Sequence, residues 1–412
     1  MVKRIAAILF IFVCTSAAWA ILGGSILART FSADDSLRDR VASTWGMPHS
    51  QLPPQAHFGE EVERVVDRVE DGKTVQRTVK ETRSVALALE ASRVEVALDL
   101  EHRQKGLLWY STYKVGFQGS FTFQNPSAEP RNVQFELPLP AAQAVYDDLR
   151  FSVDGQPVAV QHAEGKVRAE RQIPGHASAV LDVSYRSQGL DSWSYRFGEA
   201  VAEARDFRLH AVTNFKDVDF RENSLSPTEK KETDNGWDLT WTYKNLVSGF
   251  KIGIEMPEKL QPGPLAGRIS FFAPVSLFFF FFLLFLITTI RGISLHPMNY
   301  LFLAAAFFSF HLLLAYLADH ISIHTAFVLA SATSVFLVVS YLRLVVGMRF
   351  AAIEAGLTQF VYLVLFSYAF FFKGFTGLTI TIGSILTLFV VMQVTGRVNW
   401  ESIFANAATK RI

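Results

Sequence analysis

The chain holds 412 residues, half of them hydrophobic and only 19% charged, with a formal net charge of +1 and a single cysteine. So even a balance lacks the basic stripe that a nucleic-acid partner needs, and no nucleic acid is expected among its partners. One cysteine, Cys14, excludes any disulfide within the chain, so folding has to rest on buried apolar area rather than on staples.

The first element is an apolar run from Ile5 to Leu27, preceded by Lys3-Arg4. Ala18-Trp19-Ala20 resembles the small-x-small site of a cleavable signal peptide, but hydrophobicity continues through Ile21-Leu22 and Ser25-Ile26-Leu27. Crossing a hydrocarbon core of about 30 Å takes about twenty apolar residues. The run reaches that length, so residues 1–28 are expected to form an uncleaved transmembrane anchor. Arg29-Thr30-Phe31 and then a loop rich in turn formers, with Pro48, Pro53 and Pro54, are expected to follow.

Residues 29–267 change period. In Val94 to Glu101 large apolar residues occupy every second position, the pattern of a strand with one buried and one wet face. It recurs in Phe117–Phe123, Val133–Leu137, Val180–Tyr185, Phe207–Thr213 and Leu239–Tyr243. Asp71-Gly72 and Asp154-Gly155 sit between β-prone residues and predict tight hairpins, while Pro126, Pro130, Pro138, Pro140 and Pro174 mark strand ends. An inserted all-β domain, antiparallel and sandwich-like, follows, with a seam between two subdomains placed near Gln188-Gly189-Leu190.

Residues 268–400 hold five further apolar runs: Ile269–Ile290, Tyr300–Leu317, Thr325–Leu342, Leu357–Phe372 and Phe375–Val394. The block Phe278–Phe282 is apolar on every side, as a helix in lipid is. The fold class is therefore a membrane α-helical bundle, one N-terminal plus five C-terminal helices, around a β-rich insertion. With the N-terminus inside, the short cytoplasmic segments carry Lys3, Arg4, Arg291, Arg343, Arg349, Arg397, Lys410 and Arg411, against Lys373 alone outside. The positive-inside bias then places both termini and the 401–412 tail in the cytoplasm and the β domain in the periplasm.

Chemistry-bearing residues are few. No His-Glu-x-x-His, Gly-x-Ser-x-Gly, phosphate-loop or Cys-x-x-Cys motif occurs, so neither an enzymatic activity nor a cofactor is expected. His311 lies mid-span, either as a proton relay or ion-binding group facing the bundle interior or as a neutral imidazole bonded to a neighbouring helix, for example to a hydroxyl among Ser331, Thr333 and Ser334. The second reading is preferred, because no intramembrane carboxylate accompanies it. Asp319, His320 and His324 cluster at an outer helix end, where the short loop argues against a four-ligand metal site. His296, just before Pro297, suits a helix start, and Arg343, Arg349 and Glu354 form an inside-facing set. Gly374, Gly377, Gly383 and Ser384 are expected to let the last two spans approach closely. His311, His296, Asp319, His320 and Arg397 are the candidate functional polar residues, while His102, His162, His176 and His210 show no ligand spacing.

Leu295-His296-Pro297-Met298-Asn299-Tyr300-Leu301, His311-Leu312-Leu313-Leu314 with Asp319-His320, and Ile382-Gly383-Ser384-Ile385-Leu386 closing on Gly396-Arg397-Val398-Asn399-Trp400 resemble the membrane half of the CreD family of bacterial inner-membrane proteins. Thr44-Trp45-Gly46 and Arg103 to Tyr113 are similar to the exported part of that family. The resemblance covers Gly267 to Trp400 well and the rest in patches. It implies one N-terminal span, a periplasmic β-rich domain, five C-terminal spans, and a link to envelope integrity and tolerance to colicins and β-lactams without an assigned reaction. The expectation is a non-enzymatic inner-membrane protein whose periplasmic domain binds an envelope component or partner protein, in envelope integrity or stress response, with membrane lipids around the bundle. The alternative is a secondary transporter, or an accessory to a transporter or channel, using the C-terminal bundle.

Overall fold

The computed structural model describes residues 2–70, 73–105, 108–220, 222–372, 374–396 and 398. Two compact units emerge. One comprises Met1–Ser36, Gln104–Leu108 and Leu260–Ile412, the other Leu37–Arg103 and Trp109–Lys259.

The second unit is built of strands: β1 (His49–Gln51), β2 (Gln55–Glu70), β3 (Lys73–Ala86), β4 (Ala88–Lys105), β5 (Leu108–Gln124) and β6 (Arg131–Pro138). There follow β7 (Tyr146–Val153), β8 (Gln156–Pro157), β9 (Val160–Ala163), β10 (Lys166–Ile173), β11 (Ser178–Leu190) and β12 (Ser192–Arg196). The last are β13 (Ala202–Thr213), β14 (Asp219–Phe220), β15 (Glu229–Glu232), β16 (Trp237–Ser248) and β17 (Lys251–Glu255). They form an eight-stranded sheet in the order β15-β16-β13-β4-β5-β11-β7-β8, a five-stranded sheet β3-β2-β6-β10-β9 and a four-stranded sheet β1-β12-β17-β14.

Alternation sets the layers. Val94, Val96 and Leu98 of β4, Phe117, Phe121 and Phe123 of β5, and Leu181 and Val183 of β11 are buried in one core shared with Phe135 of β6 and Trp193 of β12. The antiparallel expectation holds for most pairs. Among the described residues two pairs are parallel, β13 on β4 and β1 on β12. Near the expected seam, Asp191 takes a positive φ of 62° between β11 and β12, and the chain passes from the eight-stranded to the four-stranded sheet. The core does not divide there.

Asp154 and Gly155, at φ of 50° and 71°, make the expected tight turn, with Val153 opposite Gln156. Glu164-Gly165 makes a second between β9 and β10. Asp71 and Gly72 lie outside the described residues; Glu70 and Lys73 on either side are paired.

Among the described residues six helices are long and apolar enough to cross a bilayer. They are α1 (Val2–Trp45), α2 (Pro262–Ile290), α3 (Pro297–Leu317), α4 (Ile323–Val345), α5 (Phe350–Phe371) and α6 (Thr376–Thr395). The turn-rich loop expected after Phe31 is helix instead, as far as Trp45. Between Gly24 and Gly46 there is no glycine or proline, so nothing in the backbone stops the helix where hydrophobicity stops. Gly46, at a φ of 103°, ends it, its N–H donating to Ala42 O. Within the β unit the last turns of α1 are held by an Arg38–Asp191 ion pair and by Arg103, whose guanidinium lies 3.3 Å above the Trp45 ring centre.

In the membrane unit α1 and α2 run antiparallel, as Phe12 against Phe278 and Gly23 against Phe271 show. A Cβ on Gly23 would lie 3.2 Å from Phe271 N, and one on Gly263 would lie 2.6 Å from Thr30 Oγ1. Gly263 and Gly267 thus form a small-xxx-small seam on α1, the device that brings helices together where lipid offers no hydrophobic drive. The close approach expected of the last two spans is not found. A Cβ on Gly377 or Gly383 would meet nothing within 4 Å, Gly374 is a turn glycine at φ 81°, and Thr387 is the one buried residue of α6 among those described.

Gly23→Leu should wedge α1 from α2 and lower stability by about 1–3 kcal/mol, the usual range for overpacking. Gly24→Leu should be neutral, because a Cβ there meets nothing within 4 Å. Thermal midpoints of the full chain in detergent compare the two; equal midpoints would remove the glycine seam from the account.

Candidate functional site

A cavity of about 420 Å³ opens on the eight-stranded sheet, crossing β13, β4, β5, β11 and β7. The same alternation that buries Val96, Phe117 and Tyr185 turns Glu95, Ala97, Gly116, Gln118, Ser184 and His210 to this outer face. Gly116 and Ala97, without bulk, leave room in its floor.

Two charged ends bound the cavity. At one, His210 Nδ1 lies 2.5 Å from Glu95 Oε2 and Nε2 lies 2.7 Å from Asp238 Oδ1, so one imidazole ties β13 to β4 and β16. Partial burial alone would lower its pKa, but the hydrogen bonds and negative charges of both carboxylates raise it above the ordinary value. At the other end a β-bulge interrupts the β11–β7 register between Ser184 and Arg186, and Asp148 on β7 takes a φ of 51°. Such bulges re-aim side chains. Arg186 pairs with Asp148 at 2.9 Å, whereas Arg150, Gln118 and Ser184 have no side-chain partner among the described residues. A free guanidinium flanked by an amide and a hydroxyl can hold a carboxylate or phosphate.

The β unit also buries a polar network whose members carry no shared motif or spacing along the chain. His49, 1% exposed, lies edge-on to Tyr113 and stacked with Tyr146. Tyr113 donates to Ser192 O at 2.7 Å, and Tyr185 donates to Gln51 Oε1 at 2.6 Å. Burial pushes both phenols up and pulls His49 down to about 4, so all three stay neutral. This network seats β1 on its neighbours and is closed to solvent.

In the membrane unit His311 is fully buried, but the expected bond to Ser331, Thr333 or Ser334 is not made. Nδ1 lies 3.2 Å from Phe307 O, and Nε2 has no partner among the described residues. Trp19 meets the imidazole edge-on at 5.6 Å, its own Nε1 also unpartnered. Ser334 is taken up by Ala306 O at 2.6 Å and by Gln359 Nε2 at 2.8 Å, while Ser331 Oγ and Gln359 Oε1 are orphans. Gln359 stands between two π-helical segments, Phe350–Ala355 and Phe360–Leu365, a local geometry frequent at functional positions.

The remaining candidates do not join this cluster. His296 caps α3, its side chain accepting from Met298 N, as its place before Pro297 suggested. Asp319 pairs with Arg29 of α1 at 3.4 Å, His320 is exposed, and His324 meets Phe371 at a tilt, ring centres 5.1 Å apart. No group of three or more His, Cys, Asp or Glu side chains able to hold a metal occurs among the described residues. Glu354 pairs with Arg291 at 2.6 Å rather than with Arg343 or Arg349. Arg397 lies outside the described residues.

Spanning-length helices on either side of a large β insertion define the class: a multi-span membrane protein carrying one extramembrane β domain. The chain matches the family of inner membrane protein CreD over residues 1–401, and it belongs to that family. The match covers the β segment as fully as the bundle, beyond the patches in which the sequence resembles that family. No curated protein matches the chain. Solved structures with some likeness include a Legionella pneumophila protein described as nutrient binding, at 10% identity and TM-score 0.32, covering 47% of this chain and 73% of that one. An M1 zinc metallopeptidase from Deinococcus radiodurans follows at 11% identity and TM-score 0.27, with 41% and 42% covered. At these scores neither carries any inference.

The two histidines of the β unit should leave opposite marks on stability. The unfolded chain protonates His49 as pH falls through 6.5, whereas the folded chain refuses that proton until about 4. Stability present above pH 6.5 is therefore lost across that window, by about 3 kcal/mol. His210, raised by its carboxylates, contributes fully below its unfolded value and loses that contribution as pH rises through its folded value. Unfolding midpoints of the full chain against pH should show the acid loss flattened by His49→Gln and the alkaline loss flattened by His210→Gln. Unchanged slopes in both variants would contradict the assignment.

Proposed function

We propose that this CreD-family protein is a non-enzymatic inner-membrane protein whose β domain faces the periplasm and binds an envelope component bearing a carboxylate or phosphate, in the service of envelope integrity. The cavity on the eight-stranded sheet carries the proposal: Arg150, Gln118 and Ser184 offer unused donors along its floor and wall. A cation at one end and the His210–Glu95–Asp238 clamp at the other give the site a direction, so a ligand with an anionic end has one favoured orientation. The lopsided distribution of Lys and Arg in the short loops supports the periplasmic placement.

A photo-reactive residue at Gln118 in growing cells should capture an anionic envelope component. Arg150→Glu should cut that capture about tenfold or more, since a charge-assisted hydrogen bond becomes a repulsion. A probe at Val247, exposed but outside the cavity, serves as the control. Equal capture from both positions would sink the binding reading. Absence of capture, together with a solute- or proton-linked phenotype for His311→Ala, would favour the transporter reading instead.

A further inference from the structure

A second cavity, about 180 Å³, lies between α1 and α2 within the membrane unit and is lined only by apolar side chains, among them Ile5, Ile8, Phe12, Phe278, Phe282 and Phe285. It has a local cause. Where Gly23, Gly263 and Gly267 face the neighbouring helix the two helices touch; where phenylalanines take over toward the start of α1, bulk holds them apart. Arg4 stands at that end, its Cζ 5.7 Å from the Phe285 ring centre. Its Nε and Nη2 are shielded and unbonded among the described residues, and the guanidinium is near the Tyr300 hydroxyl, a neutral neighbour that does not balance its charge. An arginine that merely snorkelled would turn its donors to water. Nearby, Arg291 is already engaged by Glu354, which leaves Arg4 as a cation without an assigned counterion.

We propose that this groove seats one acyl chain of an anionic glycerophospholipid whose phosphate rests on Arg4. The dimensions agree. From Arg4 to Phe12 the helix rises about 12 Å, close to half of the roughly 30 Å hydrocarbon core, so a chain hung from Arg4 lines the groove through one leaflet. Charge complementarity selects the headgroup: Lys3 stands beside Arg4, and the membrane face with the excess of Lys and Arg is the one where anionic lipids are attracted. Planar, forked guanidinium donors suit a phosphate.

Native mass spectrometry of the full chain in detergent, offered phosphatidylglycerol, phosphatidylcholine with the same acyl chains, or inorganic phosphate, tests the site. Phosphatidylglycerol should be retained one to one and in preference to phosphatidylcholine, and phosphate alone should not be retained. Arg4→Gln should reduce retention about tenfold. Leu9 also lines the groove; Leu9→Trp, which fills it without altering charge, should reduce retention as well and decides the matter should Arg4→Gln fail to fold. Equal retention of the two lipids, or retention unchanged by either substitution, overturns the proposal.

Discussion

The seam between α1 and α2 is the constraint on which the membrane half depends. The N-terminal helix and the C-terminal bundle are separated by the whole β insertion, and no disulfide is available to hold them together. In lipid no hydrophobic force pulls two apolar helices into contact, so contact has to come from close packing. Gly23, Gly263 and Gly267 supply it, and the Arg29–Asp319 pair sits toward the same end. Because glycines bring one end together and phenylalanines fill the other, the seam also creates a lipid-facing groove with an arginine at its mouth.

The β unit rests on a different balance. Its strands bury aromatic and branched residues on one face and free the other for polar chemistry, as alternation requires. On that outer face small residues over the central strands, a bulge in β7 and a histidine clamp across β4, β13 and β16 combine into a charged cavity. His49, by contrast, shows how a buried histidine serves architecture: it is closed off among tyrosines and kept neutral by burial.

Features governed by local chemistry were legible in the chain itself. The six spans, the strands from Val94 to Tyr243 and the Asp154-Gly155 turn each depend on residues within a short window. Hydrophobicity alone ends α1 near Leu27, but the helix runs on until a backbone breaker, Gly46, stops it. Which glycines meet a neighbour is decided in three dimensions: Gly377 and Gly383 face open space, and Gly263 and Gly267 do not. The clamp too exists only in three dimensions, since Glu95, His210 and Asp238 come from strands far apart in sequence. His311 is buried in the membrane unit, and its one bonded partner among the described residues is a backbone carbonyl of its own helix.

Everything functional rests on which side of the bilayer the β unit occupies. Single cysteines in a Cys14→Ser background, one at Val145 in the β unit and one at Met348 between α4 and α5, both exposed, report this directly with a membrane-impermeant maleimide on intact spheroplasts. The account requires labelling at Val145→Cys before permeabilisation and at Met348→Cys only afterwards. The reverse order would place the cavity in the cytoplasm and contradict the account at its root.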